Sequence, residues 1–287
     1  MTNLLVINNL CKRYPAFDLT DVSFALPQGY IMGFIGPNGA GKTTTIKSIL
    51  NMVNFDSGSV RIMGQQNAKD AVALMDHIGV VMDLPFYVDA WTCKDVEAAV
   101  APFYSRWDSD RYALLLRKFG IDPRKKVKEL SRGMKVKLML AAALSHHARL
   151  LLLDEPTSGL DPVAREELLD ILTEYIQNEE CGILFSTHIT SDLEKVADYI
   201  TFILDGRIVF TGPKDTLLES YALVQGGLND LTEERAKAII GLRRHATGFE
   251  GMVRTADVAR FPKTVLAEPV TLEQIIVFMN QEGKRNG

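Results

Sequence analysis

From Leu4 to about Asp89, apolar and polar residues alternate over short stretches, the two-residue period of strands with one buried face. Leu4 to Ile7, Val22 to Leu26, Ile31 to Ile35, Val60 to Met63 and Ile78 to Met82 are the expected strands, with one clear helix among them from Lys42 to about Met52. From about Thr92 to Ala148 the apolar spacing becomes helical, most plainly over Asp108 to Phe119 and Arg132 to Ser145. Leu150 to Leu153 is an unbroken leucine run closed by Asp154 and Glu155, the pattern of a strand buried on both faces of a parallel sheet. A helix (Pro162 to Gln177), a strand (Gly182 to Ser186), a helix (Ile189 to Ala197) and two strands (Tyr199 to Leu204 and Arg207 to Thr211) follow. Asp205-Gly206 between the last two is a hairpin turn signal. Beyond about Pro213 the pattern changes again: a capped helix at Thr232 to Ile240, a strand at Met252 to Arg260, and a final helix opened by the capping box Thr271 and Gln274. This last part reads as a separate appendage.

Composition narrows the class. A chain of 287 residues with 47% hydrophobic and 24% charged residues can bury a sizeable core. The formal net charge of -4 supplies no global basic field, which disfavours a nucleic-acid partner. Cys11, Cys93 and Cys181 lie far apart, with no C-x-x-C pair and no histidine at metal-ligand spacing, and read as reduced thiols filling small core positions. Met1 to Leu10 lacks the basic start and continuous apolar core of a secretory signal. No stretch reaches the ~20 apolar residues of a membrane-spanning helix. The richest, Leu138 to Leu153, is interrupted by Ser145, His146, His147 and Arg149, so any membrane association is expected through a partner.

Two segments carry chemistry. Gly36-Pro37-Asn38-Gly39-Ala40-Gly41-Lys42-Thr43 fits G-x-x-x-x-G-K-[ST] between an expected strand and an expected helix, which is the context a phosphate loop requires. The glycines let successive backbone N–H groups converge on phosphate oxygens, and the helix N-terminus adds partial positive charge. Lys42 is then placed for the β and γ phosphates and Thr43 for Mg²⁺. A chance match in a chain of this length is on the order of one in a hundred, given ordinary glycine usage. The leucine run delivers Asp154 and Glu155 to the carboxyl end of a buried strand, where ligands bind in open α/β sheets. Asp154 is suited to orient Mg²⁺ through its water shell and Glu155 to polarise an attacking water.

With these elements in order, the chain resembles the ATPase subunit of the ABC transporter family from about Leu4 to Pro213. Leu130-Ser131-Arg132-Gly133-Met134 resembles the family signature L-S-G-G-Q; Ser158-Gly159-Leu160-Asp161 resembles its D-loop, and His188 in Ser186-Thr187-His188 its switch histidine. Tyr14, 28 residues before Lys42, matches the aromatic that stacks on adenine. The resemblance implies an α/β fold: a P-loop NTPase core with a mainly parallel sheet, an N-terminal antiparallel β subdomain, a helical insertion at about 90–148 and a small C-terminal α+β appendage. The ATPase domain is then 1–213 and the appendage 214–287. The resemblance also implies ATP and Mg²⁺ as ligands. ATP is bound by Tyr14, by Asn38, Gly39, Ala40, Gly41, Lys42, Thr43 and Thr44, and by Ser131, Gly133 and Asp161; Mg²⁺ is held by Thr43, Asp83 and Asp154. Glu155, His188 and Asp83 are the catalytic set. Ser131 and Gly133 are expected to grip the γ-phosphate of an opposite subunit, because a phosphate loop and a signature in one chain cannot both hold one phosphate. Read alone, Ser131 is also a helix N-cap and Tyr14 a packing residue; order and spacing favour the nucleotide reading. His77, His146, His147 and His245 read as ordinary structural histidines.

Two positions depart from the family pattern. The glutamine expected after the Ile-Gly strand is Asp83, which accepts from metal-bound water but is shorter and charged. In the signature, Arg132 replaces the first glycine and Met134 the glutamine. The implied partners are an integral membrane permease, docked near Asp83 and the apolar Leu84-Pro85-Phe86-Tyr87, and a second copy or a paralogous ATPase subunit. The implied location is the cytoplasmic face of the cell membrane, peripheral through the permease. With no second cassette or fused membrane helices, the chain resembles stand-alone subunits of bacterial exporters for lipids, drugs or antimicrobial peptides. A soluble ABC ATPase acting on nucleic acid or ribosomes predicts a coiled-coil insertion or tandem cassette that the sequence lacks. A P-loop kinase would lack the signature, and a GTPase would carry an N-K-x-D motif not found here. A regulatory subunit with weak hydrolysis is the reading raised by Asp83 and Arg132.

Overall fold

The computed structural model describes residues 2–67, 72–83 and 86–286. Strands β1 (Asn3–Tyr14), β2 (Phe17–Pro27) and β3 (Ile31–Ile35) lead into helix α1 (Lys42–Ile49), and β4 (Ser57–Ile62), β5 (Gln65–Gln66), α2 (Val72–Met75) and β6 (Ile78–Val81) follow. A helical segment, α3 (Cys93–Val100), α4 (Ser109–Lys118) and α5 (Arg132–Ser145), precedes β7 (Leu150–Asp154). Next come α6 (Pro162–Ile176), β8 (Gly182–Thr187), α7 (Thr190–Val196), β9 (Tyr199–Leu204) and β10 (Arg207–Pro213). The remainder is α8 (Lys214–Glu219), β11 (Tyr221–Gly226), α9 (Glu233–Ala238), β12 (Ile240–His245), β13 (Gly248–Arg254), β14 (Leu266–Pro269) and α10 (Leu272–Asn286).

Three sheets result. The central one runs β10-β9-β3-β8-β7-β6, parallel except for the β10 edge. Its strands are covered on both faces, which is why β3, β7 and β8 are continuous buried runs. Alternation sends Ile31, Ile35, Leu151, Leu153, Ile183 and Phe185 to one core, shared with α5, α6 and α7. It sends Met32, Phe34, Leu150, Leu152 and Leu184 to the other, shared with α1 and the antiparallel sheet β2-β1-β4-β5. The helical segment is capped at its starts by Thr92, Asp108 and Ser131, each side chain accepting a backbone N–H of the first turn.

Several boundaries differ from the sequence expectation. β1 extends to Tyr14 because bulges, with Asn9 at φ 46°, let it bend and keep pairing on both sides. Asp205 and Gly206 both take positive φ, 47° and 73°, forming the expected two-residue hairpin between β9 and β10. The Thr271 and Gln274 capping box is present at α10, with reciprocal bonds of 3.0 and 3.2 Å. After Pro213 the chain builds an antiparallel sheet ordered β12-β13-β11-β14. The strand expected at Met252 to Arg260 is β13 up to Arg254 and a 3-10 turn beyond, and the helix from Thr232 ends at Ala238. Leu223, Met252, Leu272, Ile275 and Phe278 join the main core, while Ala222, Val224, Val253 and Phe249 form a small core on the sheet's other face. The appendage is therefore packed onto the rest rather than tethered to it.

His146, which closes α5, is 1% exposed and stacks on Tyr104 with ring centroids 3.8 Å apart. Its Nδ1 meets the Asp76 carbonyl at 3.1 Å, while Nε2 is buried without a partner among the described residues. Burial pushes the imidazole down to about 4 from its usual 6.5. The unfolded chain therefore takes up a proton that the folded chain refuses, and stability is lost as pH falls through that window. Urea unfolding at a series of pH values should lose about 3 kcal/mol more in the native chain than in His146→Gln between the two pKa values. Identical slopes would contradict this account of His146.

Candidate active site

The loop between β3 and α1 is shaped by close approach. A Cβ at Gly36 would fall 2.3 Å from the Ile203 carbonyl oxygen, and one at Gly41, whose φ is 112°, would fall 2.5 Å from Leu19 Cδ2 and 2.9 Å from Phe17 Cζ. Side chains here would fill the cradle, so backbone alone lines it. α1 begins at Lys42 without a side-chain cap, so its first-turn N–H groups, those of Thr43 and Thr44 among them, are left to take an anion as partner. Asn38 and Gly39 are exposed at the tip of the loop, and Ala40 is buried beneath it. The Lys42 ammonium is buried, donating to the carbonyls of Gly36 at 2.8 Å and Pro37 at 3.3 Å and lying 3.6 Å from Glu155 Oε1. Burial lowers its pKa, and Glu155 and Asp154 oppose that shift.

Across the sheet, β8 lies between β3 and β7, and the carboxyl ends of all three converge. Asp154 is buried; its Oδ2 accepts from Thr43 Oγ1 at 2.8 Å and its Oδ1 from Ser186 Oγ at 3.0 Å. One hydroxyl and one carboxylate at hydrogen-bond distance form a hard-oxygen pair suited to Mg²⁺, which takes one or two protein ligands and completes its shell with phosphate and water. Glu155 has φ 52°, a left-handed conformation that costs a non-glycine residue on the order of 1 kcal/mol. Its backbone N–H is fixed by the Ser186 carbonyl at 2.8 Å, and its Oε2 meets His188 Nδ1 at 2.7 Å. Its carboxylate is thus held between a lysine and a histidine on a strained backbone, a geometry that suits a general base.

Tyr14 stands at the end of β1, 39% exposed, with Lys12 Nζ 5.5 Å from its ring centroid. It pairs with Phe17, which packs toward Gly41, so the β1-β2 turn flanks the phosphate loop. Ser131 caps α5, its Oγ accepting from Met134 N at 3.3 Å, and a Cβ at Gly133 would stand 3.2 Å from Ala164 Cβ. Asp161 caps α6, accepting from Val163 and Ala164 N–H groups at 3.0 Å. Among the described residues, no hydrogen bond or ion pair joins Ser131, Gly133 or Asp161 to the phosphate loop. Asp83 does not join the Thr43 and Asp154 pair; its carboxylate accepts from Arg132. Leu84 and Pro85 lie outside the described residues, Phe86 is 63% exposed, and Tyr87 packs against the core. Sequence reasoning missed Ser186 as the second partner of Asp154; only the pairing of β7 with β8, which sets Asp154 opposite Ser186, reveals it.

The family model described as ABC transporter matches residues 19–158. The bacitracin transport ATP-binding protein of Bacillus licheniformis is 31% identical over 223 residues, 76% of this chain and 72% of that protein. The lantibiotic transport ATP-binding protein of Streptococcus pyogenes is 35% identical over 209 residues, 72% of this chain and 89% of that protein. A solved ATP-binding subunit of an ABC transporter matches with a TM-score of 0.67 at 29% identity, covering 75% of this chain and 91% of that one.

If Ser186 orients Asp154 toward the metal, Ser186→Ala should raise the Mg²⁺ concentration for half-maximal phosphate release roughly tenfold. The release assay at stepped Mg²⁺ checks this, and an unchanged requirement would assign the orientation to Thr43 alone.

Proposed function

This chain belongs to the ABC transporter ATP-binding family, an ATPase coupled to transport, and on that premise we propose that it powers a bacterial exporter as one half of an ATP-sandwiched, head-to-tail pair. The observation that carries the reading is the cluster of Lys42, Thr43, Asp154, Glu155 and His188 at the carboxyl ends of the central strands. Gly39 to Thr44 bind the phosphates through backbone N–H groups, Lys42 neutralises the β and γ oxygens, and Tyr14 stacks on adenine. Thr43 and Asp154 would hold Mg²⁺, which would supply charge neutralisation at the phosphates. Glu155, aimed by His188, accepts a proton from water as the water oxygen bonds to the γ-phosphorus. The bond from that phosphorus to the β–γ bridging oxygen breaks, leaving ADP and inorganic phosphate.

The signature supports pairing, because Ser131 and Gly133 sit on an exposed helix start away from the chain's own phosphate loop. In the pair each signature grips the nucleotide of the other subunit, with Asp161 beside it, and the second subunit is a copy of this chain. No helix among the described residues is long and apolar enough to cross a membrane. A permease therefore supplies the membrane path, and the exposed Phe86, Val88 and Trp91 after β6 are its docking surface. The chain then sits peripherally on the cytoplasmic face of the membrane, through the permease. Relatives named for bacitracin and lantibiotic transport favour an antimicrobial peptide as cargo over lipids or drugs.

Glu155→Gln should keep ATP binding, block turnover and accumulate a dimer of twice the monomer mass in MgATP, measured by light scattering. A monomer at saturating MgATP would end the sandwich reading.

A further inference from the structure

The two positions at which this sequence departs most from the family pattern touch each other. Asp83 and Arg132 are 49 residues apart, and the Asp83 carboxylate accepts from the Arg132 guanidinium. The same guanidinium lies along the turn that follows Glu155: a Cβ at Gly159, whose φ is 67°, would stand 3.2 Å from Arg132 Nε and 3.3 Å from its Cδ and Cζ. Arg132 thus ties three segments together: its own signature, the exit of β6 and the turn leading to Asp161. The arginine is the less favourable without the acid. An arginine at the first position of α5 sets a cation against the positive end of the helix dipole, and Asp83 offsets that charge. The acids acting on Lys42 are Glu155 and Asp154, and the Thr43 hydroxyl donates to Asp154; Asp83 takes no part in these contacts.

We propose that Asp83 works through Arg132, as a positioning residue for the signature loop that reaches the second subunit's ATP, and not as a metal-side residue of its own site. The inference rests on the head-to-tail reading above. Ala164 meets the loop at Gly133, and the Asp83 ion pair fixes the neighbouring residue, so Ser131 and Gly133 are held from two sides. A signature loop oriented in advance loses less freedom when it closes on a phosphate.

The test is a double-mutant cycle on ATP-driven dimerisation in the Glu155→Gln background, followed by sedimentation velocity. Asp83→Asn and Arg132→Gln should each weaken the dimer roughly tenfold, since a symmetric dimer carries the pair twice, and the double variant should be no weaker than either single. The exchange of Asp83→Arg with Arg132→Asp should recover part of the loss. MgATP affinity of the monomer and the Mg²⁺ requirement of phosphate release by Asp83→Asn should stay unchanged. Additive losses would overturn the proposal, as would a shifted Mg²⁺ requirement with a normal dimer constant, which returns Asp83 to its own metal site. Absence of any dimer in Glu155→Gln alone would instead overturn the sandwich reading, and this inference with it.

Discussion

A hydroxyl and a carboxylate 111 residues apart in sequence, those of Thr43 and Asp154, meet at 2.8 Å, and the rest of the site depends on that meeting. It exists because β8 is inserted between β3 and β7, bringing the loop after one strand alongside the acidic end of the other. Nothing local to either segment enforces it. The enforcement is the two-sided core: Phe34, Leu152 and Leu184 pack toward one face while Ile35, Leu153 and Phe185 pack toward the other. A register slip of one residue in any of these strands would exchange the faces and separate the pair.

Charge and strain are concentrated at the carboxyl ends of these same strands. Lys42 keeps a buried ammonium only because loop carbonyls and two acids surround it. Glu155 holds a left-handed backbone against its preference because Ser186 fixes its N–H while His188 and Lys42 fix its carboxylate. Such over-determination is how a fold keeps a costly conformation at a reacting position. The same logic extends outward to Arg132, where a guanidinium at a helix start is stabilised by Asp83 and by the side-chain-free surface of Gly159.

The nucleotide core was legible in the sequence because each of its parts has a local signal: a glycine-rich strand-to-helix turn, a leucine run ending in acids, a serine that caps α5. Partners contributed by the sheet were not. Ser186 looks like any residue ending a strand until β8 is placed beside β7, and Asp83 looks like a shortened glutamine until Arg132 is placed across from it. The C-terminal sheet was the least legible part. No pattern announces β11, and the helix expected over Thr232 to Ile240 stops at Ala238, where the chain turns into β12. Gly248 and Gly251 also obscure the alternation of β13, where Ile239 packs 2.2 Å from the position a Gly251 Cβ would occupy. Tertiary pairing decides such segments, and no short-range pattern reports it.

The central claim is that Lys42, Thr43, Asp154, Glu155 and His188 form one ATP-hydrolysing centre. Steady-state phosphate release by the purified chain tests it most directly. The account predicts MgATP-dependent release from the native protein that falls to background in Lys42→Ala. Equal release from both, or none from the native protein at saturating MgATP, would contradict it.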